Sequence, residues 1–269
     1  MPPEAVENSE RANRTRRRPE SDPPPHGTLT ADDRRVSAGA GPGRRARRAG
    51  PPGSLRQTVA MTQTVRTPGG DARITWHAAG GAKAVLALGH GAGGGIEARD
   101  LAALAAMLPA RGITVALVEQ PWRVAGKRVA PAPRRLDEAW LALWPALAEA
   151  GLPVVAGGRS AGARVACRTA RQTGARAVLA LAFPLHPPGK PDRSRADELR
   201  ATEVPLLVVQ GTRDPFGRPE EFPRGVELRE VPEADHGLAV PRGAALGQEE
   251  VLARVAADVG DWVLRRVAG

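Results

Sequence analysis

The stretch Gly158-Arg159-Ser160-Ala161-Gly162 has the clearest capacity for chemistry in this sequence. A serine with glycines two residues to either side fits a strained strand-to-helix turn. Larger side chains at those places would collide with the serine or the neighbouring strand. Chance alone could produce the pattern in a glycine-rich chain, so its setting matters: a Val-rich run precedes it and an Ala-rich run follows. A serine hydroxyl is a poor nucleophile unless a base takes its proton and a third group orients that base. On such an elbow the acid and then the histidine follow the serine along the chain. Asp214, in Gln210-Gly211-Thr212-Arg213-Asp214-Pro215, and His236, in Ala234-Asp235-His236-Gly237, meet that order.

Each candidate has a plainer reading. Asp214 could be a turn residue ahead of proline, and His236 a helix-flanking or core histidine. Asp235 is a rival acid, but a side chain adjacent in sequence to His236 points poorly at its ring. His26 and His77 lie in the wrong region, and His90 and His186 come before any acid-then-base order. The oxyanion that forms during acyl transfer needs backbone N–H donors. Ala161, directly after the serine, supplies one; the glycine-rich run Gly89–Gly95 supplies the other, with Ala92 favoured and Gly91 next. That run also fits Gly-x-Gly-x-x-Gly, and Glu119 could serve as the ribose acid of a dinucleotide site. Against it, the helical spacing begins only at Leu101, and Ser160, Asp214 and His236 would stay unexplained.

The elements that must position these residues follow from hydrophobic periodicity. Two early strands are expected around Val65 and Ile74–Trp76, joined by a turn at 67–71. Further strands are expected over 85–88, 113–118, 153–156, 177–183, 205–209 and 226–231. Helices are expected over 101–108, 134–150, 161–173 and about 246–267. Continuous apolar strands alternating with helices give a mostly parallel sheet covered on both faces, an α/β fold. Ligands of such sheets bind beyond the carboxyl ends of the strands, where Ser160, Asp214 and His236 all fall.

Taken in order, HGAGGG, GGRSAGAR, FPLHPPGKP, QGTRDPFG and ADHGL resemble the small α/β-hydrolases of the dienelactone-hydrolase-like group. They are most similar to the bacterial members of the branch related to testis-expressed proteins and to a subunit of the nonspecific-lethal histone acetyltransferase complex. The resemblance spans 61–269 and nothing in 1–60. It implies an α/β-hydrolase fold with Ser160 as nucleophile, Asp214 as acid and His236 as base. It implies no substrate, and that branch includes assembly subunits, so a non-catalytic binding or assembly module is the alternative to an enzyme.

About 20 residues, Leu185 to Glu203, separate two strands where this fold usually inserts a lid, so no large cap is expected. The loop 121–128, with Trp122, should rim the cleft, and Arg159 beside the serine could favour an anionic acyl group. The plainer reading makes these solvated loop cations in an Arg-rich chain. Cys167 reads as a small core residue. The expected activity is hydrolysis of a small ester, thioester or lactone through an acyl-enzyme, with a small acyl substrate as partner and no metal or organic cofactor.

Composition bounds the rest. The 269 residues are 42% apolar, with 5 Trp, 3 Phe and no Tyr, so Leu, Val and Ala must fill the core. One cysteine rules out an internal disulfide framework. The net charge of +10 comes from 39 basic residues of which only Lys83, Lys127 and Lys190 are lysine. That skew suggests a GC-rich coding sequence rather than phosphate contacts, so no nucleic-acid partner is expected. Residues 1–60 are Pro- and Arg-rich with few large apolar side chains, which predicts a disordered tail. Met61 is a credible start, and 61–269 the hydrolase domain. No apolar run is long enough for a membrane helix and the first residues do not form a secretory signal, so no membrane contact and a cytoplasmic location are expected. The oligomeric state is not legible.

Overall fold

A computed structural model describes residues 60–268. The expected tail, save Ala60, lies outside the described residues. The chain begins with an antiparallel hairpin, β1 (Met61–Thr67) and β2 (Gly70–His77). Gly70 adopts φ +112°, open to glycine, and the Thr67 hydroxyl donates to the Gly70 carbonyl at 2.7 Å. Alternation then sets in: β3 (Ala84–Gly89), α1 (Arg99–Met107), β4 (Ile113–Glu119), α2 (Pro121–Val124), α3 (Pro133–Ala148), β5 (Val154–Arg159) and α4 (Ala161–Thr173). The last third holds β6 (Ala177–Leu181), α5 (Ala196–Arg200), β7 (Leu206–Gly211), β8 (Glu227–Val231) and α6 (Gln248–Val267).

The eight strands form one sheet in the order β1-β2-β4-β3-β5-β6-β7-β8. β2 runs antiparallel to β4, and from β4 to β8 every pairing is parallel. This is not the 3-2-1-4-5-6 order of a dinucleotide-binding sheet. Strand residues alternate between two cores. Ala87, Ala116, Ala156 and Ala180 face α3 and α4, while Leu86, Leu88, Leu117 and Leu179 face α1 and α6. The small residues on the first face let α4 settle close to the strand ends. On the second face the leucines pack with Trp262 of α6, which is buried.

Two details differ from the sequence expectation. Residues 121–124 form a short helix, opened by Pro121 at its first turn, where a loop was expected. The strand expected over 177–183 ends at Leu181, because Ala182 turns to φ +45°. The segment between β6 and β7 carries α5 and no cap, as its length allows. Among the described residues no helix is long and apolar enough to cross a membrane.

Candidate active site

Ser160 joins β5 to α4 with φ 53° and ψ −111°, a conformation that costs energy for any residue with a Cβ. The fold holds it there: the Ser160 N–H donates to the Leu181 carbonyl at 3.0 Å, and its own carbonyl accepts from the Arg164 N–H at 3.2 Å. The flanking glycines are required by contact. A Cβ on Gly158 would lie 2.5 Å from the Gly89 carbonyl oxygen, and one on Gly162 would press into that same carbonyl. The end of β3 thus runs directly beneath the elbow.

Asp214 follows β7 and its side chain is fully buried. Oδ1 accepts the Phe216 N–H at 2.8 Å, and Oδ2 accepts Gln210 Nε2 at 2.8 Å. Gln210, itself buried, is the partner that sequence reasoning missed; only its place at the end of β7 could have drawn notice. His236 follows β8. Its Nδ1 lies 2.8 Å from Asp214 Oδ2 and its Nε2 lies 3.0 Å from Ser160 Oγ. A carboxylate accepts, so Nδ1 carries the proton, and the Nε2 lone pair faces the serine hydroxyl. The Phe216 ring packs on the imidazole, centroids 4.3 Å apart. The three residues named from sequence are therefore brought into one chain of contacts. The rival Asp235 turns away: its Oδ1 accepts the Gly237 and Ala239 N–H groups at 2.7 and 2.9 Å and shapes the loop that presents His236.

Ala161 opens α4, where the first N–H groups of a helix have no intrahelical acceptor. Gly91 passes close over the elbow; a Cβ there would lie 3.4 Å from Ser160 Cβ. Ala92, next along, is exposed. The loop is pinned by His90, which sequence reasoning set aside. Its Nδ1 bonds to the Gly91 carbonyl at 2.8 Å and its Nε2 accepts the Gln120 N–H at 3.1 Å. Accepting at Nε2 requires a neutral ring, and burial pushes the His90 pKa down, in agreement.

Arg159 departs from expectation. Sequence offers it either as a cation favouring an anionic acyl group or as a solvated loop cation, yet its guanidinium is bonded within the fold. Nε pairs with Asp100 Oδ2 at 3.1 Å and Nη2 donates to the His236 carbonyl at 2.5 Å. Asp100, at the start of α1, has a fully buried side chain, and burial pushes its carboxyl above the usual carboxylate range. A buried carboxylate draws the nearest cation, so Arg159 ties the elbow, α1 and the histidine loop together. Trp122 is buried in α2 with its ring 5.5 Å from that of His90, and packs beside the Gly89–Gly95 loop instead of forming an exposed rim. Arg123 pairs with Glu97 at 3.5 Å. Glu119 pairs with Arg73 at 3.2 Å. Cys167 is buried and its thiol is pushed up to about 12, so it is no nucleophile. Among the described residues no group of three or more His, Cys, Asp or Glu could hold a metal ion.

A family model described as an alpha/beta hydrolase domain matches residues 82–264. No curated protein matches. Among solved structures, the fold is similar to an α/β serine hydrolase without a lid from Xanthomonas campestris, at TM-score 0.61 and 18% identity, covering 79% of this chain and 97% of that one. It is also similar to a dienelactone hydrolase from Anabaena variabilis, at TM-score 0.59 and 18% identity, covering 77% and 97%. Est1E from Butyrivibrio proteoclasticus follows at TM-score 0.59 and 13% identity, covering 77% and 99%.

Proposed function

The chain belongs to the alpha/beta hydrolase domain family, and on that premise we propose that it is a serine hydrolase cleaving a small ester, thioester or lactone. One observation carries the reading: Ser160 Oγ, His236 and Asp214 stand in unbroken contact at 3.0 and 2.8 Å, on a strained elbow at the carboxyl end of the sheet. In this reading Ser160 Oγ bonds to the acyl carbon while its proton passes to His236 Nε2. Asp214 holds the ring in the required tautomer and stabilises the imidazolium. The Ala161 and Ala92 N–H groups, or Gly91 in place of Ala92, take the charge on the carbonyl oxygen. The bond from acyl carbon to the leaving oxygen or sulfur then breaks, and His236 returns the proton to that atom. Water repeats the sequence, and the free acid leaves. No metal or organic cofactor enters these steps.

Within the dienelactone-hydrolase-like group, the chain is proposed to lie in the bacterial branch related to testis-expressed proteins and to a subunit of the nonspecific-lethal histone acetyltransferase complex, on the five sequence blocks; a cytoplasmic location is proposed with it. The test is turnover on short-chain activated esters, thioesters and lactones, with Ser160→Ala as control. Turnover by the wild-type chain alone is expected. Absence of turnover on every class would favour a binding module, and turnover surviving in Ser160→Ala would mean another nucleophile.

A further inference from the structure

Asp214 lies in the irregular connection from β7 to β8, so its aim at His236 depends on what anchors that connection. The anchor comes from the segment that leaves β6, residues 182–187, which takes no part in the proposed catalytic steps. The Ala182 N–H donates to the Val209 carbonyl of β7 at 2.9 Å, which lays the segment across the end of that strand. Leu185 then packs against the acid turn so closely that a Cβ on Gly217 would lie 2.7 Å from Leu185 Cβ. The His186 N–H donates to the Phe216 carbonyl at 2.9 Å. Phe216 is the residue whose own N–H meets Asp214 Oδ1 and whose ring packs on His236.

The His186 side chain is buried and reaches further along the same connection. Its Nε2 lies 3.1 Å from Glu221 Oε1 and its Nδ1 2.9 Å from the Pro187 carbonyl. Both partners accept, so the ring acts here as a donor. Glu221 Oε2 in turn accepts the Arg218 N–H and closes the turn 218–221. That bond first, and the His186 ring after it, hold the Glu221 carboxyl below its ordinary range against the opposing effect of burial. His186 thus grips the connection on both sides of Gly217: Phe216 through its main chain and Glu221 through its ring.

We propose that His186 is a positioning residue, which by holding Phe216 and Glu221 fixes the turn that aims Asp214 at His236. The inference rests on the hydrolase reading. It requires the His186 ring to act on turnover through Asp214, and not through substrate binding or through the amount of folded chain.

The test is a double-mutant cycle between His186→Leu and Asp214→Asn. His186→Leu keeps most of the bulk and loses both ring bonds. Hydrolysis of phenyl acetate and phenyl butyrate gives kcat and KM. The rate at which a fluorophosphonate modifies Ser160, followed by intact mass, reads the same activation without a substrate. In the otherwise wild-type chain His186→Leu should lower kcat and the modification rate by about 10-fold, with KM changed less than about 2-fold, as a small misplacement of a catalytic group would do. His186→Gln, which keeps a donor at about the reach of Nε2, should recover both rates to within about 3-fold. In the Asp214→Asn background His186→Leu should cost less than about 2-fold, because residues that act as a unit do not add. Glu221 is exposed, so Glu221→Leu breaks the same contact from its other end without opening the core and should repeat the pattern. Equal losses in both backgrounds, a change in KM alone, or no loss in either Leu variant would overturn the role and leave the hydrolase reading standing. Absence of both turnover and modification in the wild-type chain would overturn the hydrolase reading, and the role with it.

Discussion

Replacing Arg159 by Met tests the arrangement behind the elbow. The substitution keeps much of the aliphatic stem and removes the guanidinium from an Asp100 side chain that has no solvent exposure, while the Arg159 side chain itself is 14% exposed. Removing one partner of a buried ion pair costs about 3–5 kcal/mol. The Leu101 N–H still donates to Asp100 Oδ1 at 3.0 Å, which favours the lower end. At about 3 kcal/mol, and ~2–4 °C per kcal/mol for a domain of this size, Tm should fall by about 6–12 °C. The sign of the pH dependence is fixed by burial, which holds the Asp100 carboxyl above its ordinary range in the folded state. A carboxyl with a raised folded pKa is neutral in both states at low pH, and its penalty grows as pH rises through the window above the unfolded value. Loss of Arg159 removes the opposing charge and widens that window. Thermal unfolding of wild type and Arg159→Met at acid and neutral pH should therefore show a Tm gap that grows as pH rises. Adding Asp100→Asn to the Met variant should recover most of it. A gap under about 2 °C, or one that widens as pH falls, would refute this reasoning.

Asp214→Asn should lower kcat by about 10⁴-fold with little change in KM, because the amide favours the wrong imidazole tautomer; steady-state kinetics on any ester found to turn over would show it. Gly162→Ala, whose Cβ would meet the Gly89 carbonyl, should cost at least about 3 kcal/mol or prevent folding, read by chemical denaturation. Cys167, with its thiol pushed up to about 12, should resist alkylation at mildly alkaline pH until the chain is unfolded, as followed by intact mass.

Much of this arrangement is legible in sequence because it depends on local rules. Strands such as Ala84–Gly89 are written as unbroken apolar runs, and the elbow is written as two glycines at fixed spacing. The loops that present Asp214 and His236 end strands, so their convergence follows from a parallel sheet. The less legible features depend on pairing across long separations. Arg159 reads as a cation beside the serine, and nothing local reveals that Asp100, 59 residues earlier, waits buried for it. Gln210 supports Asp214 through a side chain whose partners lie in the turn that follows. His90 looks like a misplaced base until its two ring nitrogens are seen tying the Gly91 carbonyl to the Gln120 N–H. Helix α2 was missed because four residues carry too little periodicity to declare themselves.

The central claim is that Ser160 is a nucleophile activated by His236. It is tested most directly by intact-mass analysis after treatment with a fluorophosphonate, which reacts with activated serines. The wild-type chain should gain one phosphonyl adduct, mapped to the Ser160 peptide, and both Ser160→Ala and His236→Ala should gain none. A wild-type chain that remains unmodified while folded, or a Ser160→Ala chain that still takes the adduct, would contradict the account.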